Sequence, residues 1–302
     1  MKRKWIAGTA GLAAAALMSS ASVAAPITAD VVFLVDESGS MGGEHAWLSN
    51  MIASLESGLV GEGVGSSVSN RYSLVGFGGS SFSNHLDPHA HDMDAVTAGT
   101  QEWGSSTDFA AATSTLVTNG GTEDGWSALD WALNNLSYRA DAAVNFVLVT
   151  DEDRDNTNAA LNKESLLSGL FRKNALLNVV VNNSFGCDAS STNAIGIDSD
   201  DNGFQADGSG GFTKCEGAGN IGSGYGTTGS DYVDLALNSG GAAWNLNILR
   251  SGGTNADSFT ASFVDTKVQE ITEQPPVSVP EPGTLALLGL GLTGLAFRRK
   301  KA

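Results

Sequence analysis

The sequence predicts an α/β fold, a doubly wound, mainly parallel central sheet with helices on both faces. Two observations predict it. Four short apolar runs, "VVFLV" at 31–35, "YSLVGF" at 72–77, "VNFVLV" at 144–149 and "LLNVVV" at 176–181, are almost unbroken by polar residues, as strands buried on both faces are. Between them, apolar residues recur at intervals of three and four, which gives a helix one apolar face. Strands and helices in alternation lead to parallel strands joined by helical crossovers.

In chain order, the first strand runs into Asp36. Trp47, Leu48, Met51, Ile52, Leu55 and Leu59 then mark a helix, and Trp126, Leu129, Leu133 and Leu136 mark another ahead of the third strand. Residues 184–230 hold 12 glycines in 47 positions. That is too many for a helix or a packed strand, so a long Gly-rich loop insertion is expected there. Phe259, Phe263, Val268 and Ile271 mark a closing helix. One domain is expected over residues 25–272, followed by a Pro-rich linker at 273–279.

The two ends of the chain read as addresses. Lys2, Arg3 and Lys4 precede an apolar stretch from Trp5 to Met18 and then "SSASVAAP", the layout of a secretory signal peptide over residues 1–24. The apolar stretch is shorter than the about 20 residues that a membrane-spanning helix needs. At the other end, Pro280, Glu281 and Pro282 precede a 13-residue apolar stretch from Leu285 to Phe297 and the cations Arg298, Arg299, Lys300 and Lys301. This tail resembles the PEP-CTERM sorting signal of Gram-negative bacteria. The resemblance implies transient membrane contact through residues 280–302, their removal by an exosortase, and delivery to the cell surface or extracellular matrix.

Charge narrows the partners. The formal net charge is −17, and seven of the 16 basic residues lie in the two terminal segments, so the domain itself is more acidic still. Such a surface repels nucleic acid and anionic lipid, and its natural counter-charge is a cation. Cys187 and Cys215 are the two cysteines. In an exported chain they are expected to form a disulfide.

The first strand ends in "DESGS". Asp36, Ser38 and Ser40 stand at its carboxyl end, where an open parallel sheet binds ligands. One carboxylate, two hydroxyls and a turn permitted by Gly39 suit a hard divalent cation. "DESGS" also resembles the Asp-x-Ser-x-Ser motif of the von Willebrand factor A domain, whose metal-ion-dependent adhesion site draws five residues from three loops. "TNGGTEDGWSALDWAL" is similar to the second loop and places Thr122; "FVLVTDEDRD" is similar to the third and places Asp151. The resemblance covers roughly residues 29 to 272 and extends to "DLALNSGGAAW" near the last strand.

It implies that Ser38, Ser40 and Thr122 offer hydroxyls to a divalent cation, Mg²⁺ first, with Ca²⁺ or Mn²⁺ as alternatives. Asp36 and Asp151 would act directly or through water, and a sixth position would take a carboxylate from an extracellular protein or matrix ligand. Glu152 and Asp153 stand where the family commonly has glycine, which puts the ligand type in question.

Three other motifs compete. "DSDDNG" sets Asp198, Asp200, Asn202 and Gly203 at positions one, three, five and six of a calcium loop, but Ser209 stands where a bidentate Glu belongs. Weak calcium binding and a plain acidic turn both fit. His85, His89 and His91 in "HLDPHAHDMD" suit zinc by residue type, but their spacing follows no standard site, so a solvated loop is expected. Asp207 to Gly211, "DGSGG", differs from a serine-protease nucleophile segment by one extra glycine. No Ser, His and Asp set shares a recognisable context, so no enzymatic activity is expected. A ligand-binding module and a structural matrix protein remain as the two classes of function.

Overall fold

The computed structural model describes residues 28–274 except 82, 83, 95, 98, 189, 190, 221 and 223. The signal peptide, linker and sorting tail expected from the sequence lie outside those residues, save for the first two linker positions.

β1 (Thr28–Asp36) is buried at every position. It is flanked by β2 (Arg71–Phe77) and β4 (Ala142–Val149), and the parallel array continues through β5 (Leu176–Val181) to β11 (Ala242–Asn245). β3 (His89–Ala90) pairs antiparallel with β2 at one edge. Alternation along β1 feeds two cores. Val31, Phe33 and Val35 pack with Leu48, Met51 and Leu55 of α1 (Gly42–Gly61) and with Phe259 and Phe263 of α7 (Gly253–Glu273). On the opposite face, Val32 and Leu34 join the core of Leu129 and Leu133 from α3 (Gly125–Asn135) and Leu166 and Leu170 from α4 (Lys163–Arg172). Helices therefore cover both faces, as the periodicities predict. The short α2 (Ser106–Ala112), α5 (Asp234–Asn238) and α6 (Leu246–Arg250) complete the helical layers.

The Gly-rich segment departs from expectation. It is not a loop excursion: β7 (Gly196–Asp198), β8 (Asn202–Ala206) and β9 (Phe212–Glu216) add three antiparallel strands to the sheet beyond β11. β6 (Phe185–Gly186) and β10 (Gly219–Asn220) form a separate two-stranded pair. Two of the glycines permit close approach rather than irregularity. A Cβ at Gly196 would lie 2.5 Å from the Trp244 ring, and one at Gly203 would lie 2.6 Å from the Cys215 sulfur. Phe204 stacks on Trp244 at 5.2 Å between ring centroids, so the added strands share the main core.

Cys187 and Cys215 are joined by a disulfide, with Cα atoms 5.8 Å apart. Loop-closure entropy over the intervening chain is worth about 3 to 4 kcal/mol. Changing both cysteines to alanine is expected to lower the unfolding free energy by that amount in denaturant titration. An unchanged midpoint would show that the added strands hold without the bridge.

The candidate calcium loop is the turn between β7 and β8. The Asp198 carboxylate accepts from the backbone N–H groups of Asp200 and Asn202, both at 2.9 Å, and from the Asn202 side chain at 2.8 Å. These hydrogen bonds shape a tight acidic turn around Asp198. Asp207 likewise accepts from the N–H groups of Ser209 and Gly211 within its own turn.

Candidate metal centre

Parallel strands bring the ends of β1, β2 and β4 to one edge of the sheet, and the loops that follow them meet there. Asp36, fully buried, accepts from the Ser38 N–H at 2.7 Å and from the Thr150 hydroxyl at 2.8 Å. The Ser38 and Ser40 hydroxyl oxygens are 3.2 Å apart, and Ser40 donates to Asp151 Oδ1 at 2.9 Å. Four of the five expected site residues are thus linked across two loops. His45 of α1 secures the turn from below, with Nε2 2.9 Å from the Asp36 carbonyl oxygen.

Thr122 stands differently. It is exposed, and its carbonyl oxygen faces Gly78. The next residue, Glu123, is buried and brings its carboxyl to Asp36. Carboxylate oxygens of Asp36, Glu123 and Asp151 lie within 4.8 Å of one another. Burial, the hydrogen bond to Asp36 and repulsion from Asp36 push the Glu123 carboxyl up to about 9. Burial also raises Asp36, against the hydrogen bonds from Glu123, Ser38 and Thr150. At neutral pH the two acids therefore share a proton, and among the described residues no basic side chain is hydrogen-bonded to either.

The other end of β1 supplies the contrast. Asp30 is equally buried, yet Arg71 donates to it at 2.8 and 2.7 Å and Arg139 Nε at 2.8 Å. Asp36, among the described residues, has only hydroxyl, amide and carboxyl partners. Glu123 Oε2 is buried without a hydrogen-bond partner. Hard oxygen donors, excess negative charge and one orphaned oxygen fit a divalent cation.

The surrounding loops are fixed by polar contacts. Asp124 caps α3, accepts from Arg154 Nε at 2.8 Å and from the Thr157 hydroxyl at 2.9 Å, and so ties the loop after β4 to the start of α3. The Arg154 guanidinium also lies 4.2 Å over the Trp126 ring. Of the two acids that stand in place of the family's glycine, Asp153 turns away to accept from the Thr227 N–H at 3.1 Å. Glu152 remains exposed, and partial desolvation together with repulsion from Asp151 and Asp36 raises its carboxyl.

Sequence reasoning missed two members of this site. Glu123 reads as ordinary acid ahead of a helix, and its adjacency to Thr122 was the available signal. Arg250, at the end of α6, donates to Asp151 Oδ2 at 2.8 Å and also pairs with Glu44. Nothing in its local sequence points to a partner 99 residues away. The histidines also depart from expectation: His85, His89 and His91 do not form a solvated loop but turn inward on buried Glu37. The antiparallel strand β3 brings them there, a pairing that their spacing does not reveal.

Comparison with known proteins adds the address. The PEP-CTERM protein-sorting motif matches residues 278–300. The chain carries a PEP-CTERM sorting motif. A search of curated proteins finds no match. Among solved structures, proximal thread matrix protein 1 from the mussel byssus, with a zinc-occupied MIDAS motif, is similar at 14% identity and a TM-score of 0.38, over 53% of this chain and 37% of that one. A von Willebrand factor type A structure from Catenulispora acidiphila is similar at 16% identity and a TM-score of 0.32, over 51% and 33%. The chain thus spans about a third of the length of these structures. The likenesses are distant and carry no function across. The mainly parallel sheet with helices on both faces stands on its own strand order.

Proposed function

We propose that the PEP-CTERM protein is a non-enzymatic binding module of the cell surface or extracellular matrix, which takes up one divalent cation at the carboxyl edge of its sheet. One observation carries the reading: three buried acids, Asp36, Glu123 and Asp151, converge beside the Ser38 and Ser40 hydroxyls without enough positive charge to balance them. Octahedral oxygen coordination favours Mg²⁺, with Ca²⁺ or Mn²⁺ as alternatives. The cation would then offer an open position to a carboxylate on an extracellular protein or matrix ligand.

Arg250 favours a second reading. Its guanidinium lies against Asp151 Oδ2 and the Ser40 carbonyl oxygen, at 2.8 and 3.2 Å. A side chain in that position narrows access from outside, as suits a cation that only stabilises a structural matrix protein.

Calorimetric titration of Mg²⁺, Ca²⁺ and Mn²⁺ into chelator-treated protein tests the site. Asp36→Ala is expected to abolish binding while the protein stays folded, because a charged ligand goes and the apolar run 31–35 is untouched. Ser38→Ala removes one neutral donor and is expected to weaken binding about tenfold, or about 1.4 kcal/mol. Undiminished binding by Asp36→Ala would place the cation elsewhere. Loss of ligand retention on chelation, with the fold intact, separates the binding module from the structural protein.

A further inference from the structure

A second cluster lies behind the first. Asp36 and Glu37 are consecutive, so their side chains leave the end of β1 in opposite directions. Asp36 turns to Thr150 and Glu123, while Glu37 turns to the edge strand β3. Glu37 is fully buried, and its Oε1 accepts from the Val117 N–H at 2.9 Å. Three imidazoles surround the rest of its carboxylate. His85 Nδ1 is 2.8 Å from both oxygens, His89 Nε2 is 3.5 Å from Oε2, and His91 Nε2 is 3.3 Å from Oε1.

Hydrogen bonding on the far side of each ring decides what the near side can do. The Thr115 hydroxyl donates to the Ala112 carbonyl at 2.7 Å, so it can only accept from His91 Nδ1, 2.6 Å away. His89 Nδ1 faces the Asp87 carbonyl at 2.9 Å and must also donate. In the neutral form each ring is thereby held as its Nδ1–H tautomer, with a bare Nε2 lone pair aimed at a carboxylate. Each of these Nε2 atoms is buried without a hydrogen-bond partner, and the His91 side chain is only 4% exposed. Lone pairs facing an anion repel unless a proton or a metal cation stands between them, and three imidazoles around one carboxylate are more than one shared proton can satisfy. A backbone or hydroxyl oxygen that orients the outer nitrogen is the usual support of a metal-binding histidine.

We propose that Glu37, His85, His89 and His91 hold a zinc ion in a closed, tetrahedral site. Bonds of about 2.0 to 2.1 Å place tetrahedral ligand atoms about 3.3 Å apart, close to the 3.3 and 3.5 Å separations from Glu37 to His91 and His89. The four ligand atoms lie within 4.8 Å of one another. Three nitrogens and one carboxylate oxygen suit zinc rather than the hard cation of the neighbouring site. Gly76 makes the cradle: a Cβ there would stand 2.4 Å from Glu37 Oε2 and 2.7 Å from His91 Nε2. His85 and His89, with side chains 20% and 27% exposed, leave a path for entry. With all four positions filled by protein, the ion is structural. It clamps the β2–β3 connection and the segment at Thr115–Val117 to the end of β1.

The test uses the exported protein in an Asp151→Ala background, which disables the neighbouring cation site and lies outside the histidine cluster. After chelation, zinc is titrated against a chromophoric competitor, and cobalt(II) is added to a second sample. One zinc per chain and the strong visible absorption of tetrahedral cobalt are expected. His89→Ala in the same background is expected to lower zinc affinity by more than the about 10- to 100-fold that loss of an outer partner costs, and to abolish the cobalt spectrum. His85→Ala serves as the second variant should His89→Ala fail to fold, with circular dichroism as the check. No zinc binding, a weak octahedral cobalt spectrum, or equal affinity in a folded histidine variant would overturn the proposal. None of these outcomes depends on whether magnesium or calcium binds at Asp36.

Discussion

Without divalent cations, the protein is expected to lose thermal stability steadily as pH rises from about 5 to 9, and a bound cation is expected to cancel the loss. Glu123 is the cause. Its carboxyl moves from the ordinary 4.5 to about 9 in the folded protein, through burial and the proximity of Asp36. A folded-state value above the unfolded one means that the native protein holds the proton more tightly. The stability from this group is therefore complete below 4.5 and is lost as pH rises through about 9. The loss is on the order of a few kcal/mol.

A divalent cation at the proposed site is expected to replace the shared proton and to bind more tightly as pH rises. Melting curves of chelated protein across this range, with and without added cation, are the measurement. Glu123→Gln is expected to flatten the slope and to raise the melting temperature of the chelated protein at pH 8. A slope that survives this substitution would remove Glu123 from the account.

The second large effect is expected at Glu270, far from the cation site. Lys267 of α7 is fully buried, and its ammonium donates to Glu270 at 2.6 Å and to Asn145 of β4 at 3.3 Å. Burial pulls the Lys267 pKa down, against the pull of Glu270. Glu270 in turn accepts from Asn178 of β5 at 2.8 Å, and Asn178 accepts from Trp244 Nε1 at 3.0 Å. Glu270→Gln keeps an acceptor for Asn178 but leaves Lys267 as an uncompensated buried charge, at a cost of about 3 to 5 kcal/mol. Adding Lys267→Met removes that charge and is expected to recover most of the loss. A double-mutant cycle in denaturant measures the coupling. Additive losses would show that the pair does not act as a unit.

This network bears on how far the chain can be read unaided. Asn145 and Asn178 interrupt two otherwise apolar runs, and nothing nearby in sequence says what satisfies them. Their partners are Lys267 and Glu270 of α7, Gln274 just beyond it and Trp244 of β11, all distant in sequence. The four parallel strands at 31–35, 72–77, 144–149 and 176–181 were legible because a strand buried on both faces must be apolar throughout. The helices were legible because their apolar faces repeat at three and four residues, as Trp47 to Leu59 do. The Gly-rich strands β7 to β9 were not. Their glycines make room for Trp244 and Cys215, and close packing leaves no periodic trace.

The candidate site divides in the same way. Asp36, Ser38 and Ser40 were determined by sequence alone, since a run of apolar residues ending in acid, hydroxyl and glycine puts oxygen donors at a strand's carboxyl end. Asp151 follows from the resemblance of "FVLVTDEDRD" to a third adhesion-site loop, and the sorting tail from the order of its motif, apolar stretch and cations. Only the tertiary structure decided that Glu123 rather than Thr122 faces Asp36, that Arg250 covers Asp151, and that three histidines converge on Glu37. Each of those depends on which way a side chain turns once distant segments meet. Local sequence constrains backbone and burial, whereas the choice among side-chain directions is made by charge and space that only the folded neighbours supply.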